Sequence, residues 1–423
     1  MRILYVCHNY PDPHPGDGER FAHDLLGAVR QEEGVETLFL GAADQLYRAR
    51  KLGTSLQTIG DTADEMMLWT QGFDALNLSQ PRFDGVLSNL QRLVRIFHPD
   101  VVHFHHVLLL GVEAIQVVRR AAPDARIVLT LQDYHPICHS GGEMIRAGSR
   151  TLCRAASPLA CHACFPALAP ESFVARERHI KNFLQLADTF VAPSRFLCQR
   201  YVEWGLPEDR VVVIPNAPTS MNGTAAARPP RATQTVFGCF GNLRASKGTL
   251  VALEAARLLR ERGREDFALV VHGAVIPDDE FPAAFDEALR GASPRASHHG
   301  RYGRADAPAL LEAVDWVIVP SIWWESSPLV IQEAFAARRP VICSNIGGMA
   351  EAVRDGVDGL WFEAGHAADL AATMERAMDD PELRGHCQAG ITAPVPLEEI
   401  AARHLRLYRG AVDESRIDTP GRD

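Results

Sequence analysis

At 423 residues the chain is longer than one hydrophobic core usually supports, so its length predicts about two or three domains. A hydrophobic share of 47% with 23% charged residues is typical of a globular protein and argues against extensive disorder. The formal net charge of -10 argues against a nucleic-acid partner, because contacts to phosphates need clustered Lys and Arg.

Short apolar runs rich in β-branched residues predict buried strands through the first half of the chain. These runs lie at residues 2–7, 36–40, 100–104, 126–131 and 189–192, and helical patterns separate several of them. Strands that alternate with helices form parallel sheets. We therefore expect an α/β domain over residues 1–214.

A second α/β series follows a polar, Pro-rich stretch at residues 215–235, which predicts an interdomain linker. We expect this second domain to span residues 236–395. An amphipathic helix over residues 396–412 is expected to pack back on the first domain, and residues 413–423 are expected to form a tail. Strands are predicted at 236–240, 267–271, 316–319 and 340–343, with helices near 248–262, 307–313 and 328–338.

The expected location is cytoplasmic. The chain has no apolar run of the roughly 18 to 20 residues that span a bilayer, and its first apolar run is too short for a signal peptide. The basic run at residues 176–181 has two interpretations. It is either a peripheral contact with the inner membrane face or a solvated helix face.

Two carboxylates, Glu325 and Glu333, flank the start of a predicted helix that follows a buried strand. Ser327 and Pro328 are expected to begin that helix as its N-cap and first-turn residues. The first backbone N–H groups of a helix suit a phosphate, and carboxylates accept hydrogen bonds from sugar hydroxyls. The pair therefore fits a nucleotide sugar. In the alternative, Glu325 only complements the helix dipole and Glu333 is a solvated residue.

A second predicted strand-to-helix turn carries positive charge. Arg244 and Lys247 follow the strand at 236–240 and precede a helix, which predicts that they lie at the same edge of the sheet as Glu325. Two cations there could neutralise a departing pyrophosphate without a metal ion. The alternative is that both are solvated surface charges.

The spacing of these residues resembles that of a known family. The matching positions are Pro320, Ser321, Glu325, Glu333, Pro340, Gly347, Gly348, Glu351 and Gly359, with further matches in residues 16–21, 100–105, 130–133, 191–196 and 213–216. They resemble the signature of glycosyltransferase family 4, which contains retaining enzymes of the GT-B fold. The resemblance implies an α/β architecture of two Rossmann-like domains that face each other across a cleft. The first would bind the acceptor and the second the nucleotide sugar.

The resemblance also implies a role for each matched position. His105, Glu325 and Lys247 would form the catalytic set, with His105 beside the reacting carbon and Lys247 on the pyrophosphate. Glu333 would hold the ribose hydroxyls. Further donor contacts would come from Asn242, Arg244, Tyr302, Ser326, Ser327, Pro328, Leu329 and Val330. The acceptor side would include Gly16, Asp17, Gly18 and Asp133.

The implied activity is transfer of a sugar, with retention of configuration, from a nucleoside diphosphate sugar to a hydroxyl acceptor. That acceptor would be a glycan, a lipid-linked saccharide or a small molecule, and transfer would require no cofactor. One alternative is an epimerase or hydrolase of the same fold. Another is an inert carbohydrate-binding relative, because Asn242 and Gln132 stand where the family usually has Arg and His.

Cys138, Cys153, Cys161 and Cys164 lie in a Cys-rich loop over residues 136–170. The two-residue gap between Cys161 and Cys164 lets two thiolates bind one metal ion, and the other two could complete a structural zinc site. His135, His139 or His162 could replace one ligand. The equal alternative is four unrelated reduced thiols.

Overall fold

The structure is a computed structural model, and it describes residues 1–10, 16–44, 55–59, 63–149, 151–218, 234–276 and 280–411. Most of the predicted linker and all of the predicted tail lie outside these residues. The chain divides into two compact units, one of Met1–Asn216 with Pro396–Asp423 and the other of Ala217–Val395. We call them unit 1 and unit 2.

Unit 1 is built on an 8-stranded sheet with the strand order β3-β4-β2-β1-β5-β6-β7-β8. All neighbouring pairs are parallel except β3 with β4. The predicted strands of this half are confirmed, and their predicted and observed ends agree within three residues. The strands are β1 (Arg2–His8), β2 (Glu36–Ala43), β3 (Leu56–Thr58), β4 (Glu65–Trp69), β5 (Val101–Phe104), β6 (Arg126–Thr130), β7 (Thr189–Ala192) and β8 (Val211–Val213).

Helices flank this sheet in the order expected of an α/β unit. They are α1 (Asp17–Val29), α2 (Ser88–Phe97), α3 (Glu113–Ala121), α4 (Pro158–Cys164), α5 (Pro170–Leu184) and α6 (Arg195–Trp204), and a π-type turn at Phe83–Leu87 and a 3-10 turn at Glu208–Arg210 complete the described helical segments.

Unit 2 contains a 6-stranded parallel sheet with the order β11-β10-β9-β12-β13-β14. Its predicted strands and helices are confirmed, and β11 and β14 were not predicted. The strands are β9 (Thr235–Phe240), β10 (Phe267–His272), β11 (Ala296–His298), β12 (Trp316–Val319), β13 (Val341–Ser344) and β14 (Gly359–Phe362). The helices are α7 (Thr249–Glu261), α8 (Phe281–Ala292), α9 (Ala307–Glu312), α10 (Leu329–Ala336), α11 (Gly347–Ala352), α12 (Ala367–Asp379) and α13 (Pro381–Gly390), with a 3-10 turn at Ala245–Lys247.

The last helix, α14 (Leu397–Tyr408), packs against α1 in unit 1. A buried polar network joins it to the sheet. The Tyr408 hydroxyl lies 2.7 Å from His103 Nδ1 and 3.1 Å from the Tyr5 hydroxyl, and His103 Nε2 lies 2.7 Å from Thr130 Oγ1. Because buried polar groups are costly unless they find partners, this network fixes the position of the helix on the unit 1 sheet.

Both sheets reverse their strand order at one point. In unit 1 the chain moves outward from β1 through β2 and later returns to place β5 on the other side of β1. In unit 2 the same reversal lies between β9 and β12. Ligands of open parallel sheets bind at such switch points, beyond the carboxyl ends of the strands. Each unit therefore offers one predicted binding position.

Among the described residues, no helix combines the length and the apolar character that crossing a membrane would need.

Candidate functional site

The turn after β9 and the turn after β12 meet at the switch point of unit 2. Ile322 donates its backbone N–H to the Ser246 carbonyl at 2.9 Å, which ties the two turns together. Gly248 makes the approach possible. It has φ of +69°, and a Cβ added there would lie 1.8 Å from the Pro320 carbonyl oxygen. Only glycine fits this position without a backbone shift.

Lys247 and Glu325 form an ion pair across these two turns, and we call the pair with Ser321 the lysine–glutamate site. Lys247 Nζ lies 2.7 Å from Glu325 Oε1, and the Ser321 hydroxyl donates to the same oxygen at 2.6 Å. Glu325 is buried, whereas the Lys247 side chain is 30% exposed. A buried carboxylate is costly unless it is paired, so the buried Glu325 holds the partly exposed Lys247 in place.

Trp323 and Gly348 shape the surroundings of the lysine–glutamate site. Lys247 Nζ lies 5.4 Å from the centre of the Trp323 ring, within the range of a cation–π contact. Gly348 donates its N–H to the Glu325 carbonyl at 2.8 Å, and a Cβ on Gly348 would lie 2.3 Å from the Ser326 carbonyl oxygen. The glycine pair of the motif thus packs directly beneath the turn that carries Glu325.

The predicted cap of α10 is wrong in one detail. The helix begins at Leu329, Pro328 occupies the N-cap position with ψ of 115°, and no side chain caps it. Ser327 lies before the helix because a residue that precedes proline is displaced from the α region. Leu329 and Val330 form the first turn, and Glu333 follows in the same helix, half-buried.

The remaining donor-side residues lie at the same edge of the unit 2 sheet. Tyr302 packs edge-on against Phe240 and His272, with ring centres 6.1 and 6.2 Å apart, where β9 and β10 end. Asn242 and Arg244 occupy the turn after β9, and Arg244 is exposed. An aromatic wall beside a cationic turn suits a base joined to phosphates.

A group of histidines and carboxylates occupies the switch point of unit 1. We call His8, Glu19, His106, Asp133 and His135 the histidine–carboxylate cluster. His8 ends β1, His106 follows β5, and Asp133 and His135 follow β6, so neighbouring strand ends bring them together. Glu19 comes from the first turn of α1 and is buried.

Asp133 is the centre of this cluster. His106 Nε2 and His135 Nδ1 lie 3.0 and 2.7 Å from Asp133 Oδ2, and the His135 backbone N–H donates to Oδ1 at 2.8 Å. Among the described residues this is the one set of three metal-capable groups whose ligand atoms lie within 4.8 Å of one another. Nearby, His8 Nε2 lies 3.0 Å from Glu19 Oε1.

Burial and the neighbouring charges within the cluster determine the protonation states of its members. Burial opposes ionisation of Asp133, but the neighbouring His135 and His106 outweigh it and hold the pKa of Asp133 well below its usual range. Burial lowers the pKa of His106, and Asp133 only partly offsets that effect. Burial also disfavours protonated His8, yet the Glu19 carboxylate raises the pKa of His8 well above its usual value. At neutral pH we therefore expect ionised Asp133, neutral His106 and protonated His8.

The hydrogen bonds of His106 agree with this charge state. The Leu108 backbone N–H donates to His106 Nδ1 at 3.0 Å, so Nδ1 accepts and the proton lies on Nε2, toward Asp133. His106 therefore holds the Asp133 carboxylate rather than removing protons itself. An ionised carboxylate at the sheet edge can accept a hydrogen bond from an incoming hydroxyl group.

Two family models match the chain and divide it at the boundary of the two units. The one described as Glycosyltransferase Family 4 matches residues 19–217, and the one described as Glycosyl transferases group 1 matches residues 225–391. Together they match most of the chain. The chain belongs to glycosyltransferase family 4.

Relatives and solved structures agree with family 4. The chain is 31% identical to a D-inositol 3-phosphate glycosyltransferase of Arthrobacter over 180 residues, which is 41% of this chain and 42% of that relative. This match thus spans about two fifths of the relative. A Mycobacterium tuberculosis glycogen synthase is 28% identical over 401 residues, with 90% of this chain and 87% of that protein covered.

Among solved structures, Anabaena Alr3699/HepE in complex with UDP and glucose has a TM-score of 0.66 and 18% identity, with 97% of this chain and 100% of that chain covered. At that identity the likeness shows the fold, which is the GT-B fold of two parallel-sheet α/β domains. The predicted fold class is confirmed.

The side chain of His105, the histidine that the family resemblance places beside the reacting carbon, is buried in unit 1. His105 has no exposed surface, and its ring stacks on Tyr5 with centres 5.6 Å apart. Neither ring nitrogen of His105 has a hydrogen-bond partner among the described residues. His106, which the sequence analysis did not select, lies in the cluster instead, because successive residues after a strand point to opposite faces.

His8 and Glu19 were not predicted as site residues, and His135 was predicted only as a possible replacement ligand of the zinc site. A signal was present, since polar residues that follow buried strands at 2–8, 101–104 and 126–130 must meet at one edge of a parallel sheet. Gly16 and Gly18 lie at the start of α1, where a Cβ on Gly18 would lie 3.5 Å from the Gln132 side chain. The side chain of Asp17 lies outside the described part.

The basic run of the predicted membrane contact lies on α5, and its first residue does not face solvent. Arg176 is buried and donates from Nη1 to the Pro136 carbonyl at 2.6 Å and from Nη2 to the His135 carbonyl. Lys181 pairs with Glu177 at 2.5 Å. Arg176 therefore anchors the segment after β6 and is not available to a membrane surface.

Proposed function

We propose that this protein transfers a sugar from a nucleoside diphosphate sugar to a hydroxyl group of an acceptor, with retention of the anomeric configuration. The observation that carries the proposal is the lysine–glutamate site at the switch point of unit 2. The ammonium group of a paired, partly exposed lysine at the carboxyl end of a parallel sheet is suited to a phosphate.

In this proposal Lys247 holds the pyrophosphate of the donor. Its ammonium group lies 2.7 Å from Glu325 Oε1, and a lysine ammonium carries three N–H donors and a full positive charge. Arg244, exposed on the same turn, adds positive charge. Fixed cations at the departing phosphate stabilise charge that develops in the transition state, so we propose that transfer needs no metal ion.

Glu325 and Glu333 receive different roles. Both described contacts of the Glu325 carboxylate use Oε1, and we assign Oε2 to a hydroxyl group of the donor sugar. Glu333 would hold the ribose hydroxyls, since it lies half-buried in the second turn of α10. The aromatic group of Tyr302, Phe240 and His272 would contact the base.

Asp133 is the proposed acceptor contact. It is ionised, it is held by His106 and His135, and it lies at the edge of the unit 1 sheet. A hydroxyl group that donates to Asp133 would be held in a fixed orientation at this edge. In retaining transfer the attack takes place on the face from which the phosphate departs, and a phosphate oxygen would take the hydroxyl proton.

Calorimetric binding of UDP, GDP and ADP, with and without EDTA, tests the donor part of the proposal. Lys247→Met is expected to weaken binding by about tenfold or more, because a hydrogen bond to a charged group contributes about 1.5–3 kcal/mol. A preference for one nucleotide that EDTA leaves unchanged would support metal-independent donor binding.

Lys181→Met is the matched control. Lys181 is also 30% exposed, pairs with a glutamate and lies 4.6 Å from the centre of a tryptophan ring, as Lys247 does at 5.4 Å. Its substitution is expected to leave nucleotide affinity unchanged. Equal losses in both variants, or no binding of any of the three nucleotides, would contradict the proposal.

A further inference from the structure

Most of the Cys-rich segment, residues 136–170, lies outside the hydrophobic core. None of its described residues from 145 to 170 is buried, α4 contributes no buried side chain, and Leu159 is among the exposed large hydrophobic residues. Hydrophobic burial therefore contributes little to the position of this part of the segment. Segments of this kind usually depend on a crosslink or a metal ion.

The backbone brings the four cysteines of the segment together. A bridge between Ile145 and Leu152 forms a short hairpin, and the Cys153 N–H donates to the Met144 carbonyl at 2.7 Å, which returns the chain toward Cys138. Ser157 then caps α4 by accepting from the Ala160 N–H at 3.3 Å. Helix α4 presents its two cysteines one turn apart, on the same face.

The four cysteines line one small cavity. Cys138, Cys153, Cys161 and Cys164 surround about 20 Å³ of space, together with His139 and Met144. That volume is enough for one water molecule or one ion. None of the four cysteines forms a disulfide, and all four are partly exposed, whereas Cys7, Cys198, Cys239, Cys343 and Cys387 are buried.

The thiols also influence one another. Burial raises the pKa of Cys138 to about 11, and Cys153 and Cys161 add to that rise. Burial likewise raises the pKa of Cys161, with further contributions from Cys153 and Cys164. Each thiol therefore lies within electrostatic range of its neighbours.

We propose that Cys138, Cys153, Cys161 and Cys164 bind one Zn²⁺ ion that anchors the Cys-rich segment. Tetrahedral thiolate coordination at about 2.3 Å places the sulfurs roughly 3.8 Å apart. No three of them meet the 4.8 Å spacing that the His106, Asp133 and His135 group satisfies among the described residues. Binding therefore draws the sulfurs inward and releases the thiol protons.

The zinc would act next to the histidine–carboxylate cluster. Cys138 donates its backbone N–H to the Tyr134 carbonyl at 2.7 Å, one residue after Asp133, and Arg176 holds the carbonyls of His135 and Pro136. The ion thus stabilises the segment whose first residues carry Asp133. This inference does not depend on the proposed transfer reaction.

Metal analysis of the purified, untagged full chain tests the proposal. We expect about one zinc per chain, and we expect Cys153→Ser and Cys161→Ser each to lose most of it. Cys198→Ser is the matched control, because Cys198 is a buried cysteine of the same unit outside the segment, and it should retain the metal.

Two further experiments test the proposal even if a cysteine variant does not fold. In the wild type, removal of zinc with a strong chelator should expose thiols to a colorimetric reagent and open residues 145–170 to limited proteolysis, and added ZnCl₂ should reverse both effects. An Asp133→Asn variant tests whether zinc binds instead at the group of His106, Asp133 and His135. Zinc lost in Asp133→Asn but kept in the cysteine variants would overturn the proposal, as would wild-type protein that neither contains nor takes up zinc.

Discussion

The burial of each side chain determines which residues of the motif can contact a ligand. Glu325 and Glu333 look equivalent in the sequence, yet Glu325 is buried against Lys247 and Ser321 while Glu333 is half-buried on α10. The same distinction separates His105 from His106. Neighbouring residues after a strand face opposite sides, so one lies in the core of unit 1 and the other at the sheet edge.

The two histidines are expected to respond differently to substitution. His105→Leu removes two unpartnered nitrogen atoms at nearly constant volume, so activity should stay within about threefold and the melting temperature should change little. His106→Leu removes a donor to Asp133 and raises the pKa of that carboxylate. The acid limb of the pH–activity profile should therefore move to higher pH.

The measurement is kcat/KM across pH 4 to 8 for both variants and the wild type. An Asp133→Asn variant, which cannot ionise, should lose most activity over the whole range. A His105→Leu enzyme that is inactive but folded would show that the buried histidine reaches the substrate after all.

At the scale of elements, the strands and helices were largely predictable because buried parallel strands are continuous apolar runs. The missed strands had weaker signals. β3, β8 and β11 have only three residues each, β4 has five residues with a Glu and two Met among them, and β14 begins at a glycine. The Lys247 turn was recognised from its position between a strand and a helix. Lys247 and Glu325, 78 residues apart, were predicted at the same edge of the sheet, but their ion pair was not predicted because it depends on how closely the two turns approach.

The turn that carries Lys247 depends on Gly248. Gly248→Ala would place a Cβ 1.8 Å from the Pro320 carbonyl oxygen, so we expect the turn to shift, the free energy of unfolding to fall by about 3 kcal/mol or more, and UDP binding to weaken with it. Gly263→Ala is the control. The φ of Gly263, +81°, is similar, but no atom lies within 4 Å of the added Cβ. Gly263→Ala should therefore lower the free energy of unfolding by only about 1 kcal/mol.

Denaturant unfolding and nucleotide titration of the two glycine variants provide the comparison. Similar losses of stability and of binding in both would mean that the left-handed backbone conformation matters and the approach of the two turns does not.

At the scale of the whole molecule, the two units repeat one arrangement. Each is a parallel sheet with a reversal of strand order, and each gathers its polar groups at that reversal. Unit 1 gathers histidines and carboxylates, and unit 2 gathers a lysine and a glutamate with aromatic neighbours. The sequence indicated the two sheets, but the contents of the unit 1 cluster required the strand order, which no local pattern encodes.

The buried histidines of unit 1 predict a loss of stability in acid. Burial lowers the pKa of His404 to about 4 and holds the pKa values of His103 and His105 well below their usual range. These groups are neutral in the folded protein and become protonated in the unfolded chain below about pH 6.5. Stability is therefore complete above that pH and falls as the pH approaches 4, by on the order of 3 kcal/mol for His404 alone.

Thermal melting of the wild type between pH 7.5 and 4.5 measures this effect. His404→Leu should show a shallower decline, and His386→Gln, a change at an exposed histidine, should follow the wild type. A decline of the same steepness in all three proteins would assign the acid sensitivity to other groups.

The central claim is transfer of a sugar to an acceptor, and the most direct measurement is release of nucleoside diphosphate from UDP-, GDP- and ADP-sugars with and without a panel of hydroxyl acceptors. The account predicts release that depends on an acceptor, that persists in EDTA, and that is lost in Lys247→Met but not in Lys181→Met. Release at the same rate without any acceptor would instead indicate a hydrolase, and conversion of the donor into another nucleotide sugar without release would indicate an epimerase. Nucleotide binding with no release across the panel would indicate an inert relative, and each of these results would contradict the account.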